Sequence, residues 1–294
     1  MLSRIVFLLL VFISQYSYSQ SNYKGFIDKY PIELILFTYD KQDIRAIYSY
    51  QNFDEPIVIN GKFEKNSLIL YEKNVQGKIT ATLIFEKYDS KSKLQKGIWK
   101  NLETNKQLNI SLSKEFDIEN GESIEWNNLE ILQPVSLKNY YFKLLISKTK
   151  EDFEARVTGI KILQKKTDSL IQEIEMDCQF WGLSNVSVGD YNFDGIEDFS
   201  VFESSYAGPN TSSLYFLYDP ETKKFFNSKF EGVSLDFDAK TKTIHEHNQC
   251  CAGTIHTTAV YKIVNNKMVL VEQHCLIWDE QKQDLVERPM KDCQ

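Results

Sequence analysis

The first half of this chain contains no cysteine and no histidine: Cys178 is the first of the one and His245 of the other. That half therefore offers no thiolate or imidazole for nucleophilic or transition-metal chemistry, and its carboxylates are scattered at turns. The missing early cysteine also excludes a lipoprotein signal, which needs one at its cleavage point. No acidic tail or basic patch stands out. The formal net charge is -7 and becomes -8 without Arg4, a balance that argues against a nucleic-acid partner and suits cationic partners. Long apolar runs are lacking too. The most uniform one, Ile5 to Ile13, is too short to span a bilayer.

What is present begins with that run. Arg4, the apolar stretch and Ser17-Tyr18-Ser19 have the order of a secretory signal, residues 1–19, with the mature chain starting near Gln20 and located in the periplasm or outside the cell. An apolar content of 42%, with 16 Tyr and 19 Phe, excludes a disordered chain. The roughly 270 residues that remain are more than one small β-domain needs, so two domains are expected.

From Lys24 to Leu112 short β-rich runs alternate with turn residues. Ile32–Tyr39, Asp43–Tyr50, Ile57–Phe63, Ser67–Tyr71, Lys78–Glu86, Leu94–Trp99 and Gln107–Leu112 make about seven strands. Such spacing predicts an antiparallel meander closed into a small barrel or sandwich over 20–114. The Asn- and Glu-rich stretch 115–138, with Pro134, reads as a linker. Strands resume over Tyr140–Ser147, Val157–Leu163 and Leu170–Glu175, and the polar Lys165–Ser169 between the last two argues against one long helix. The region 139–294 thus reads as a second β domain, in an all-β protein.

One loop of this region is Asp190-Tyr191-Asn192-Phe193-Asp194-Gly195-Ile196-Glu197-Asp198. Ca²⁺ is a hard cation that takes about six to eight oxygens. Asp190, Asn192 and Asp194 stand at positions one, three and five, Gly195 allows the turn, the Ile196 carbonyl sits at seven and the Asp198 carboxylate at nine. An EF-hand needs a bidentate Glu at position twelve, which is Val201 here, and β-like runs rather than helices flank the loop. The pattern is that of a strand-loop-strand cage, and it occurs once, so a repeat array is not expected. The ion's expected role is structural: to brace the following small-residue loop, in which Ser205, Tyr206 and Asn210 are the candidate partner contacts.

The five cysteines, Cys178, Cys250, Cys251, Cys275 and Cys293, cluster late in the chain and read as disulfide candidates with one left over. Neighbouring Cys250 and Cys251 are expected to take different partners, because a bond between neighbours strains the peptide. His245, His247, His256 and His274 lie among them, which makes a zinc or copper site a rival reading. Their spacing matches no zinc pattern.

From Val157 to Glu272 the order of features resembles a bacterial family. A Val157-Thr158-Gly159-Ile160 strand leads to the single cage, then to a Ser/Gly/Asn loop, Leu214–Phe225, Cys250-Cys251-Ala252-Gly253 and the Tyr261–Glu272 hairpin. This is similar to the periplasmic calcium-binding lysozyme-inhibitor proteins found beside peptidoglycan-hydrolase effectors of a Xanthomonas type IV secretion system. The resemblance implies that 139–294 is a propeller-like β domain with one calcium loop, ligands at Asp190, Asn192, Asp194, Ile196 and Asp198, and inhibition of, or immunity to, a lysozyme-like cell-wall hydrolase. The first half resembles secreted β-domains of Bacteroidetes and has no part in it. The expectation is a binding protein with no catalytic residues. Trp99 and Trp181 would serve a glycan-binding alternative.

Overall fold

The computed structural model describes residues 19–39, 43–52, 55–118 and 124–293. The expected secretory signal lies, but for Ser19, outside the described residues. The protein is all-β, with 21 strands and two short 3₁₀ turns among the described residues. Among the described residues no helix is long and apolar enough to cross a membrane.

Strands β1 (Ser19–Ile27), β2 (Tyr30–Thr38), β3 (Ile44–Tyr50), β4 (Ile57–Glu64), β5 (Ser67–Lys73), β6 (Ile79–Phe85), β7 (Leu94–Asn101) and β8 (Gln107–Ile118) form a closed barrel in sequence order. Every neighbour is antiparallel, and β1 closes the ring by pairing with both β2 and β8. Closure brings β1 so near β8 that a Cβ on Gly25 would fall 2.0 Å from the Ser111 carbonyl oxygen. Glycine is the residue that permits this approach.

Period-two alternation decides what the barrel buries. Leu34 and Leu36 of β2, with Ile44, Ala46 and Tyr48 of β3, join Leu70, Leu83 and Phe85 in the interior core. Their neighbours Ile35, Phe37 and Ile47 belong to a different core, which they share with Phe142, Ile160 and Phe199 from the second half. The near-continuous apolar run from Ile32 to Phe37 thus reflects burial on both faces of β2.

The rest of the chain forms three consecutive antiparallel meanders. The first contains β9 (Trp126–Ser136), β10 (Tyr140–Lys148), β11 (Arg156–Gln164) and β12 (Leu170–Gln179); the second β13 (Val186–Gly189), β14 (Asp198–Ser205), β15 (Thr211–Asp219) and β16 (Lys224–Asn227). The third contains β17 (Asp236–Asp238), β18 (Thr243–Cys250), β19 (Ile255–Val264), β20 (Lys267–Asp279) and β21 (Asp284–Arg288). Each is an up-and-down sheet of four or five strands, the topology of a propeller blade. No second cage motif exists, so the repetition is one of sheets and not of sequence.

The stretch 115–138, expected as a linker, is mostly strand. It holds the end of β8 and all of β9. Pro134 is accommodated because β9 is an edge strand whose register slips opposite Tyr141 to Lys143, the kind of place where a residue without an N–H is tolerated. Polar contacts join the two halves above the shared core. Lys143 Nζ lies 2.6 Å from Glu33 Oε2 with both side chains largely buried, Ser136 Oγ donates to Glu55 at 3.0 Å, and Lys165 pairs with the same Glu55. Burial alone would lower the Lys143 ammonium's pKa, but Glu33 and Glu130 hold it above its ordinary value.

Candidate metal centre and recognition loop

The nine-residue loop connects β13 to β14 and is planted by its apolar positions. Tyr191 and Phe193 are each 9% exposed. The Tyr191 ring packs edge-on to Tyr215 and Phe237 at 5.0 and 4.8 Å, and its hydroxyl meets Ser200 Oγ at 2.9 Å. Phe193 adopts φ +61°, a left-handed conformation costly for a bulky residue. Packing near Phe237 and a hydrogen bond from Lys242 Nζ to the Phe193 carbonyl at 3.1 Å hold it there. Gly195, at φ +91°, takes the second such position at no steric cost.

The oxygen-bearing positions organise the loop from within. Asp190 accepts from the amides of Asp194 at 3.0 Å and Gly195 at 2.8 Å, one to each carboxylate oxygen. Asn192 Oδ1 also faces the Asp194 amide at 3.2 Å, and Asn192 Nδ2 donates to Asp194 Oδ2 and to Asn266 Oδ1. Asp194 Oδ1 accepts from the Ile196 amide at 2.8 Å. Asp198 is wholly buried, its two oxygens taking the amides of Tyr191 at 2.9 Å and Tyr218 at 2.8 Å. Burial pushes the Asp198 carboxyl up to about 6; the two donated amides oppose the shift, and the charges of Asp194 and Asp190 add to it.

Among the described residues no group of three His, Cys, Asp or Glu side chains stands as a metal-holding cluster. In the loop the carboxylates are turned to backbone amides. Its full donor set adds the Asn192 amide oxygen and the Ile196 carbonyl, and such an all-oxygen mixture suits a hard cation and not a metal that seeks sulfur or imidazole. The histidines complete no such metal-holding group, although His247 and His256 line one surface cavity. His245 Nε2 meets Thr243 Oγ1, His256 Nε2 donates to the Gly253 carbonyl, and His274 pairs with Glu287.

One strand carries the loop's last residue toward the second candidate region. β14 begins at Asp198 and ends at Ser205, after which Tyr206–Asn210 form the turn into β15. Tyr206 is 53% exposed; its amide donates to the Asn210 carbonyl at 2.9 Å, and its hydroxyl meets Ser212 Oγ at 3.1 Å. Ser205 is tied down, its amide and hydroxyl both donating to Gln179 Oε1. Asn210 does not form a contact surface. It is buried, with Nδ2 donating to Asn248 Oδ1 and the Gln249 carbonyl while Oδ1 accepts the Gln249 amide. Of the three expected contacts, Tyr206 alone is exposed, and Ser205 and Asn210 brace it. The braces Gln179, Lys242 and Asn266 went unread in the sequence, since no local pattern links residues so far apart in the chain.

The cysteines divide differently from expectation. Cys275 and Cys293 form a disulfide, Cα atoms 5.9 Å apart. Cys178 is a buried free thiol, pushed by that burial up to about 12. Cys250 and Cys251 do not take different partners: both are exposed and free, with sulfurs 2.8 Å from each other. Trp99 is held at the barrel by Glu72 at 2.6 Å, whereas Trp181 is 64% exposed beside Phe202.

No family model and no curated protein matches the chain. Among solved structures it is similar to a Xanthomonas type IV secretion system related protein, at 15% identity and TM-score 0.38, over 58% of this chain and 98% of that one. It is also similar to the β-propeller domain of the trilobed protease from Pyrococcus furiosus, at 12% identity and TM-score 0.25, over 90% and 84%. A protein from Lactobacillus plantarum follows at 9% identity and TM-score 0.26, over 92% and 95%.

Proposed function

We propose that this is an exported protein that binds one Ca²⁺ in the Asp190–Asp198 loop and presents Tyr206 to a protein partner, a lysozyme-like cell-wall hydrolase that it inhibits. The observation that carries the reading is the single strand β14, which runs from the buried Asp198 to the exposed Tyr206 turn. Whatever fixes the loop therefore fixes the base of the turn. Asp190, Asn192, Asp194, the Ile196 carbonyl and Asp198 would hold the ion, which supplies positive charge to carboxylates that otherwise repel one another. No catalytic residue is assigned, and the protein acts by binding. A rigid aromatic on a braced turn is a low-entropy anchor for a partner's cleft, and the acidic net charge, -8 once Arg4 is removed from the -7 of the full chain, suits a basic hydrolase.

The test is retention of lysozyme-type hydrolases on the immobilised mature protein in calcium, compared with its Tyr206→Ala form. Retention and inhibition by the first and loss of both by the second is the expected result. No retention of any such hydrolase by the native protein would overturn the reading. The exposure of Trp181 favours one alternative, a glycan-binding module. Retention on insoluble peptidoglycan that disappears in Trp181→Ala, and not in Tyr206→Ala, would establish it instead.

A further inference from the structure

All five cysteines lie among the described residues, and their arrangement leaves one pair unassigned. Cys275 and Cys293 are bonded to each other. Cys178 is buried in the shared core. Cys250 and Cys251 are both exposed, with no other sulfur as partner, and their Sγ atoms stand 2.8 Å apart, inside unbonded contact and outside the bond length of about 2.05 Å. The backbone is already bent to permit this. Cys251, Ala252 and Gly253 follow one another at φ +55°, +54° and +82°, and Thr254 closes the turn with its amide and hydroxyl both donating to the Cys251 carbonyl. Three successive left-handed residues, two of them not glycine, mark a turn held against local preference.

We infer that Cys250 and Cys251 are a redox-active vicinal pair that closes into a disulfide ring and so sets the rigidity of the turn beneath the Tyr206 loop. The oxidant is a low-molecular-weight disulfide such as oxidised glutathione. The Cys251 thiolate attacks one of its sulfurs, forming a mixed disulfide and releasing one glutathione thiolate. Cys250 gives its proton to solvent and attacks the Cys251 sulfur, closing the ring and releasing the second thiolate. The pair gives up two electrons and two protons, and the glutathione disulfide takes up both electrons. A ring between neighbours restricts the unfolded chain very little, so it adds little stability; being exposed and strained, it belongs with the labile, regulatory disulfides.

The turn touches the recognition loop through the residue just before the pair. Gln249 exchanges two hydrogen bonds with Asn210, at 2.8 and 3.0 Å, and the Asn210 carbonyl in turn accepts the Tyr206 amide. Closing the ring fixes Cys250 and with it this ladder. The consequence for partner binding rests on the reading of Tyr206 given above; formation of the ring does not.

The test uses the full mature protein equilibrated in glutathione buffers, alkylated without unfolding and digested with trypsin. The peptide Thr243–Lys262 contains Cys250 and Cys251 and no other cysteine. In oxidising buffer it should appear lighter by two hydrogens and take up no alkylating agent, and after reduction it should take up two equivalents. Alkylation of both residues under conditions that preserve Cys275–Cys293, or stable glutathione adducts on either, would overturn the ring. In Cys250→Ser the remaining Cys251 should retain glutathione as a mixed disulfide; failure to do so would show that the pair does not react with this oxidant. Hydrogen exchange at the Gln249 and Tyr206 amides should slow on oxidation. Unchanged exchange with a fully formed ring would refute the coupling while leaving the partner reading standing, because that reading is tested by hydrolase retention in either redox state.

Discussion

The barrel and the three meanders manage exposed sheet edges in opposite ways. The barrel removes its edges by closing β1 onto β8, and its interior is a private core of Leu, Ile, Tyr and Phe. The meanders keep theirs, six over three sheets, and blunt them with bulges, short strands and Pro134. The apolar interior of the first two leans on the barrel's outer wall through Ile35, Phe37 and Ile47, whereas Phe237, Ile263 and Met268 of the third pack against Tyr215 and Leu217 of the second. Every feature with chemical character, namely the oxygen-lined loop, the disulfide, the vicinal cysteines and the braced tyrosine, lies on the meanders. A closed barrel leaves few backbone groups to recruit, whereas open sheets joined by hairpins place loops where ligands and partners can reach them.

Phe142→Ala should break this comparison most strongly. Phe142 is wholly buried in the shared core and packs 5.0 Å from Phe199, so the cavity should cost about 4 kcal/mol. Denaturant unfolding should show the loss, and a shift below about 1 kcal/mol would mean that the core is not shared. Cys275→Ser comes next. It opens a staple spanning 18 residues and should cost up to about 3 kcal/mol, with hydrogen exchange rising in the third meander and unchanged in the barrel; equal rises in both would erase the distinction. Asp194→Ala removes the acceptor for the Ile196 amide and should cost about 1 kcal/mol in chelator, while abolishing any calcium-dependent rise in melting temperature. Tyr206→Ala should be the mildest for stability, within about 0.5 kcal/mol, because the side chain is exposed. Its effect should appear as lost hydrolase retention.

Seven barrel strands were legible because alternation and turn residues marked each one, with ends within a few residues of those observed except for β8, which runs on past Leu112 to Ile118. β1 was not. Its start, Ser-Gln-Ser-Asn, is polar, yet Ser21 and Asn22 are buried, because Ser21 bonds Asp117 and Asn22 bonds Glu33 across the closure. A strand that buries polar side chains against those of its neighbours leaves no hydrophobic period to read at that end. The 115–138 stretch misled for a related reason: Asn and Pro signal a linker locally, and only pairing with β10 shows that β9 is an edge where both are tolerated. At the candidate site the loop's place between two strands was legible from its turn residues and the β-like runs beside it. The burial of Asn210 and the contact between Cys250 and Cys251 depend on the path of β18, which no local pattern announces.

The proposed function requires the loop from Asp190 to Asp198 to be a cation cage and not merely a turn satisfied by its own amides. Calorimetric titration of the chelator-treated mature protein with Ca²⁺ tests it most directly. The account predicts one site per chain, lost in Asp190→Ala; an absence of binding heat at every concentration, or binding unchanged in that variant, would contradict it.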